Sequence, residues 1–324
     1  MRISILKTSL TMRKILIICV LNLIIFSCSK EEKTNTAAEE MQEFVIDISD
    51  YSREYDSNFI IIPQNGIELA FNNINPDEGL NLNYTDAIDG LGVEELFYNE
   101  TVITDDYRLS MLQQLEPTEK IMVSEYVTDA NDIEDATDRN YDEGFICFIR
   151  TTDNYNYSEI PEGVNNLNAN DITELSMVQN YLYLISTDNF SSKEDMINAI
   201  TETNFDLIII DLFFDDSEFT STEIQQLKTK ANGGQRLVIS YISIGSVENY
   251  RYYWKSEWKR NNPKWIKKKY AGYEDEFWIE FWDEEWQNII YGNDSSYIKK
   301  IINAGFDGVY LDNVEAYYFL YHNN

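Results

Sequence analysis

The stretch GFDGVYLDN, residues 305–313, carries the pattern from which the prediction of the fold starts. Val309 to Asp312 run apolar, aromatic, apolar and acidic, which is typical of a buried strand that ends on a carboxylate. A segment with a stripe of isoleucines precedes the stretch, and Gly305 is placed to end it as a helix. The stretch therefore predicts a helix followed by a strand. Its last aspartate either caps the next helix or belongs to a catalytic site.

Eight further apolar runs of strand length occur along the chain, and most are followed by a segment with helical spacing. Such runs are typical of parallel strands covered on both faces. Alternating strands and helices predict an α/β fold with right-handed crossovers, and about eight strands favour a closed TIM-type (β/α)8 barrel. The sequence contains no dinucleotide-binding or P-loop glycine motif. The runs cover residues 59–62, 87–93, 121–127, 145–149, 181–185, 207–211, 237–244 and 277–282.

Acidic residues recur at or just after the ends of these runs. In (β/α)8 barrels the chemistry lies at the carboxyl ends of the strands, so we expect these acids to share one rim. Two carboxylates can hydrolyse a glycosidic bond without histidine, cysteine or metal. Helix capping is the alternative for each aspartate taken singly. The acids are Glu125, Asp211, Glu248, Asp283 and Asp312.

The composition excludes several classes of function. The formal net charge is −32, so the surface repels phosphate backbones and we expect no nucleic-acid partner. The single histidine, His322, excludes Ser-His-Asp and Cys-His catalysis and argues against a zinc site. The three cysteines do not form a disulfide framework. We expect no metal and no cofactor.

The N-terminal region resembles a bacterial lipoprotein leader. Arg13 and Lys14 precede an apolar stretch over residues 15–26, and Ser27-Cys28 then matches a lipobox. We expect a signal peptide over residues 1–27, a disordered tether over 28–43 and one barrel domain over 44–324. Acylated Cys28 would anchor the protein to the outer membrane or cell surface of a Gram-negative-type bacterium. Detergent-phase partitioning that survives Cys28→Ser would contradict the anchor.

All six tryptophans fall between residues 254 and 286, and many tyrosines lie among them. Aromatic faces bind sugar faces and cations, and they also pack cores. For Trp254, close to the predicted rim, we favour ligand contact over packing.

Several motifs together resemble glycoside hydrolase family 114, and more narrowly its bacterial branch, often labelled cysteinyl-tRNA-synthetase-related. The motifs are LVISYISIGSVENYRYYW (237–254), FWIEFWDEEW (277–286), GFDGVYLDNVEAY (305–317), DLIIIDLFFDD (206–216), FIIIPQNGIEL (59–69) and IDGLGVEELFY (88–98). The resemblance implies a TIM-type barrel that cleaves α-1,4-linked galactosamine polymers internally. In the family order the last two motifs follow GFDGVYLDN, so the chain resembles a circular permutant.

The sequence departs from the family in two places. The usual Gly-Glu-Ala-Glu is Gly245-Ser-Val-Glu248 here, and fungal members carry a glutamate where Tyr310 stands. Their other proposed catalytic acid aligns with Asp283. The synthetase label has no support, because the His-x-Gly-His motif is absent.

These observations predict a glycosidase that acts on a cationic amino-sugar polymer, or a non-catalytic carbohydrate-binding lipoprotein on the same barrel. For the glycosidase we assign Asp283 as the ionised carboxylate and Asp312 as the proton donor, with Asp211 and Glu248 binding a sugar ammonium group. We expect a monomer. The remaining predicted substrate contacts are Glu125, Tyr250, Arg251, Trp254, Tyr310 and Glu315.

Overall fold

The computed structural model describes residues 30–152, 155 and 157–322. Cys28 and the leader lie outside this part of the chain. Within the described part, no helix is long and apolar enough to cross a membrane.

Strands and helices alternate along the chain, as the apolar runs predict. The described strands are β1 Ile60–Pro63, β2 Gly90–Val102, β3 Lys120–Val127, β4 Ile146–Arg150, β5 Tyr181–Tyr183, β6 Leu207–Asp211, β7 Phe213–Phe214, β8 Ser217–Glu218, β9 Leu237–Ser243, β10 Ser246–Glu248, β11 Ile266–Lys269, β12 Glu276–Ile279 and β13 Gly308–Asp312. The described α-helices are α1 (residues 30–53), α2 Leu82–Thr85, α3 Asp106–Leu115, α4 Ile133–Asp142, α5 Lys193–Thr201, α6 Ser221–Leu227, α7 Glu284–Ile290, α8 Tyr297–Ala304 and α9 Ala316–Phe319.

Eight of the strands form two parallel sheets. One sheet has the order β1-β13-β9-β6-β5 and the other the order β2-β3-β4. A parallel bridge between Gln64 and Gly92 joins the end of β1 to β2, and the Asp89 amide donates to the Ile61 carbonyl at 2.9 Å. No strand pairing joins β4 to β5 in the described part of the chain. The α/β architecture with parallel strands is therefore confirmed.

The stretch 305–313 folds as predicted. Ser296 caps α8 by accepting from the Lys299 amide, and Gly305 ends the helix with a φ of 88°, which favours glycine. The strand that follows, β13, lies between β1 and β9. Its pairing with β1 sets Ile61 opposite Val309. Strands from the first and the last part of the described chain are thus neighbours in one sheet.

The predicted tether over residues 28–43 is wrong from residue 30 onward, because α1 runs through residues 30–53. One face of α1 is buried in the core, including Ala37, Met41 and Phe44. Gln42 donates to the Leu69 carbonyl at 2.6 Å, and Ser49 donates to the Ala87 carbonyl at 2.7 Å. The helix thereby packs against the segments that flank β1 and β2.

The predicted strand over residues 277–282 does not join the parallel sheets. Its first part is β12, which pairs antiparallel with β10 and β11 in a separate three-stranded sheet. An apolar run of this length suits a buried antiparallel hairpin as well as a parallel strand, so periodicity did not separate the two. Asp283 therefore does not lie at the end of a parallel strand.

Candidate active site

The carboxyl ends of the parallel strands open into one cleft of about 960 Å³. β6 contributes Asp211 and β13 contributes Asp312, while the short β10 contributes Glu248. The structure thus brings together acids that lie far apart in the chain. Six of the residues predicted for the site line the cleft: Asp211, Glu248, Tyr250, Arg251, Asp312 and Glu315.

Asp312 is the carboxylate most suited to proton transfer. Tyr241 donates its hydroxyl to Oδ2 at 2.5 Å, and the Asn313 amide donates to Oδ1 at 2.7 Å. Burial first, and the negative charge of Glu94 after it, raise the pKa of Asp312 to about 7, although the two hydrogen bonds act in the opposite direction. A large fraction of Asp312 therefore carries its proton near neutral pH.

Glu94 and Glu95, on β2, also line the cleft, and the sequence prediction missed them. Tyr157 donates its hydroxyl to Glu94 Oε1, and Asn65 Nδ2 lies 3.3 Å from Oε2. Arg150 lies 3.5 Å from Glu94 and 2.9 Å from Glu95. Donors of this kind stabilise negative charge on a carboxylate. The strand-end rule could have found both acids, because they directly follow the apolar run of the IDGLGVEE segment.

A third missed acid is Glu276 on β12. It accepts from the hydroxyl of Ser246 and, at 3.1 Å, from Asn313 Nδ2. Burial raises the pKa of Glu276 to about 8, with the charge of Glu248 acting in the same direction. Burial likewise raises the pKa of Glu315 to about 8. No apolar strand end precedes Glu276, so the rule that located Asp312 does not find it.

Asp211 and Glu248 are joined by Arg251. The guanidinium lies 2.7 Å from Asp211 Oδ2 and 2.6 Å from Glu248 Oε2, and all three side chains are at least nine-tenths buried. The amide of Phe213 also donates to Asp211, at 2.8 Å. Both acids are therefore already paired with one guanidinium inside the protein, and the predicted role of both acids in binding a ligand ammonium is not supported by this geometry.

Asp283 does not line the cleft. It is the N-cap of α7, where its carboxylate accepts from the Glu285 amide at 3.0 Å. The capping alternative is the one the structure shows. Trp254 also packs away from the cleft lining, with its ring stacked on Phe277 at 6.0 Å and in edge contact with Trp258 at 5.6 Å.

Tyr310 and Glu125 are fully buried and do not line the cleft either. Tyr310 points inward from β13, and its ring meets Tyr183 edge-on at 5.3 Å. Glu125, on β3, accepts from the backbone of β2. Both were predicted as substrate contacts, and the structure makes them part of the layer beneath and beside the cleft.

The lining of the cleft is strongly acidic and rich in tyrosine. Ten carboxylates face two guanidiniums, those of Arg108 and Arg251. Such a lining attracts cationic ligands, and tyrosine faces suit the C–H faces of sugars. Among the described residues, no group of three or more His, Cys, Asp or Glu side chains is arranged to hold a metal ion. The carboxylates are Glu68, Glu94, Glu95, Asp211, Asp215, Asp216, Glu248, Glu276, Asp312 and Glu315.

Residues 179–324 match the model of glycoside-hydrolase family GH114, so the resemblance inferred from the motifs is confirmed for this part of the chain. An uncharacterized protein of Methanocaldococcus jannaschii, MJ1477, is 36% identical over 178 residues, which is 54% of this chain and 49% of that protein. An uncharacterized protein of Thermotoga maritima is 30% identical over 118 residues, 36% of this chain and 35% of its own. One of Deinococcus radiodurans is 34% identical over 121 residues, 37% of each chain. The matched segments thus span between a third and a half of these relatives.

Proposed function

We propose that this chain, whose residues 179–324 match family GH114, is a glycosidase that cleaves a cationic galactosamine-type polymer. The observation that carries the proposal is the position of Asp312. It ends a parallel strand inside an acidic cleft, and its pKa is raised to about 7. Carboxyl groups with a raised pKa in a cleft are typical of catalytic acids.

Asp312 is the proton donor and Glu94 its ionised partner. A general acid works best when its pKa lies near the working pH, which fits Asp312. Glu94 accepts from Tyr157, Asn65 and Arg150, and these contacts orient it for the role of base or nucleophile. Glu94 therefore takes the role that the sequence had assigned to Asp283.

The excess of carboxylates in the cleft supports a substrate that carries free amino groups. A de-N-acetylated galactosamine polymer places an ammonium group on each sugar, and charge-assisted hydrogen bonds favour such groups over neutral acetamides. Arg251 pairs with both Asp211 and Glu248 inside the protein. The carboxylates left to meet the ammonium groups are therefore other acids of the cleft lining, including Glu68, Asp215 and Asp216.

The experiment compares two forms of α-1,4-linked galactosamine polymer, de-N-acetylated and fully N-acetylated, incubated with the purified domain. We expect shorter oligomers from the free-amine polymer, at a rate that falls as salt is added because screening weakens cation binding. Equal cleavage of both forms would contradict the charge argument. Binding without cleavage would favour the alternative, a carbohydrate-binding protein on an inactive barrel.

We also propose that the eight parallel strands form a closed TIM-type barrel whose order is permuted relative to the family. The β1–β13 pairing and the Gln64–Gly92 bridge support closure on one side, and ring contact between Phe148 of β4 and Tyr181 of β5 at 5.8 Å supports it on the other. A crystal structure with β4 and β5 far apart would contradict closure. A re-permuted chain with residues 30–178 placed after residue 322 should fold and keep activity, and an unfolded product would argue against the permutation.

A further inference from the structure

The strand that carries Glu94 and Glu95 leaves the regular sheet at this point. β2 pairs with β3 in register up to Glu94, which lies opposite Ser124, and pairing resumes with Asn99 opposite Tyr126. Residues 95–98, which we call the β2 excursion, therefore stand opposite the single residue Glu125. Glu95 adopts a φ of 54°, a left-handed conformation that is uncommon for a residue other than glycine.

The side chain of Glu125 takes the place of the missing strand pairing. Its two oxygens accept from the amides of Phe97 and Tyr98 at 3.0 and 3.1 Å, and Asn140 Nδ2 donates to Oε1 at 3.0 Å. Glu125 is fully buried. A buried carboxylate with three donors is strongly held in place, because the loss of any partner leaves a polar group unsatisfied.

Arg108 of α3 holds the other side of the same segment. Its guanidinium donates to the carbonyls of Glu94 and Glu95 at 2.6 and 3.0 Å. The carboxylate of Glu125 thus binds two amides of the β2 excursion, and the guanidinium of Arg108 binds the carbonyls of Glu94 and Glu95 at its start. The side chains of Glu94 and Glu95 line the cleft.

We propose that Glu125 is a positioning residue that fixes the β2 excursion and thereby sets the place of the Glu94 carboxylate in the cleft. This inference rests on the proposed function, in which Glu94 is the ionised partner of Asp312. It explains why an acid occupies the interior of a strand, where an apolar residue would pack without a partner. Glu125 acts through the backbone and does not touch the substrate.

The first readout is hydrogen exchange at single backbone amides, followed by NMR on the full chain, in wild type and in Glu125→Gln. The glutamine keeps one oxygen acceptor but turns an NH2 group toward the second amide. We expect one of the Phe97 and Tyr98 amides to exchange at least about tenfold faster while amides of β9 are unchanged. Unchanged exchange at both amides would overturn the proposal. Glu119→Gln is the matched control, because Glu119 is also buried and lies immediately before β3, at the opposite end of that strand from Glu125.

The second readout is the kinetics of polymer cleavage at a temperature well below melting. A displaced Glu94 lowers kcat by about tenfold to a hundredfold with little change in KM, because misplacing a reacting group weakens the transition state more than binding. A Glu125→Gln protein with faster exchange but wild-type kcat would overturn the positioning role and leave a structural one. If the wild type does not cleave the polymer, the proposed function fails, and the exchange arm still decides whether Glu125 holds the segment.

Arg108→Lys supplies a second variant in case Glu125→Gln does not fold. Lysine keeps the charge but cannot bind both carbonyls with a rigid fork. We expect the amides of residues 95–98 to exchange faster in this variant as well, with kcat reduced more than KM is altered. Wild-type exchange and kcat in Arg108→Lys would contradict the view that side chains fix this segment.

Discussion

Tyr310 shows how a single side chain can exclude a neighbour. Its hydroxyl is buried with no hydrogen-bond partner among the described residues, and a Cβ added at Gly92 would lie 1.9 Å from it and 2.4 Å from Cζ. Only glycine fits at position 92 of the IDGLGVE motif, because the ring of Tyr310 occupies the space that a side chain would need. Two residues further along β2, Glu94 reaches the cleft above this contact.

Tyr310→Phe and Gly92→Ala are expected to act in opposite directions on thermal unfolding. Removing an unpartnered buried hydroxyl should leave the melting temperature unchanged or raise it, because such a group costs about 1–3 kcal/mol. Gly92→Ala should destabilise by about 1–3 kcal/mol through overpacking. The ring carbon remains in the way, so the double variant stays destabilised. A clearly lower melting temperature for Tyr310→Phe would show that the hydroxyl has a partner.

Helix α1 is the element whose role the sequence concealed. Its segment is rich in Lys, Glu, Thr and Ala, which is the composition of a solvated tether. Its apolar residues nevertheless recur at helical spacing from Ala37 through Met41 and Phe44 to Ile48, and all four are buried. The composition led to the prediction of a tether, whereas the spacing of these apolar residues matches the buried helix that the structure shows.

We expect Met41→Ala to lower the free energy of unfolding by about 2–5 kcal/mol, the range for a fully buried side chain truncated to alanine. Glu39→Ala, on the exposed face of the same helix, is the control and should change stability by less than about 0.5 kcal/mol. Denaturant unfolding of both variants measures the difference. Similar stability for the two would mean that α1 contributes little to the core.

The sequence predicted the parallel strands better than the site. Apolar runs locate buried strands, and a carboxylate at a strand end was enough to find Asp211 and Asp312. The same rule chose Asp283 wrongly, because it does not distinguish a strand end from a helix cap until the strand's partners are known. Glu276 and Arg150 enter the site through tertiary packing, which one-dimensional patterns do not encode.

At the scale of the whole molecule, the negative charge is concentrated where the strands end. The chain carries a formal charge of −32, and ten carboxylates line the cleft. Burial first, and the charges of neighbouring acids after it, raise the pKa values of Asp312, Glu276 and Glu315 to about 7 or 8. Since Asp312 must be protonated to donate a proton, we expect the rate of cleavage to fall as the pH rises through about 7.

The roles of Asp312 as proton donor and of Glu94 as its partner are tested by the rate of polymer cleavage. Four proteins are compared: wild type, Asp312→Asn, Glu94→Gln and Asp283→Asn. Circular dichroism confirms that each is folded. We predict that Asp312→Asn and Glu94→Gln each lose on the order of a hundredfold or more in kcat, as for lost acid–base groups, whereas Asp283→Asn cleaves near the wild-type rate because asparagine also caps helices. Near-wild-type turnover in Asp312→Asn, or a loss in Asp283→Asn as large as in Glu94→Gln, would contradict the account.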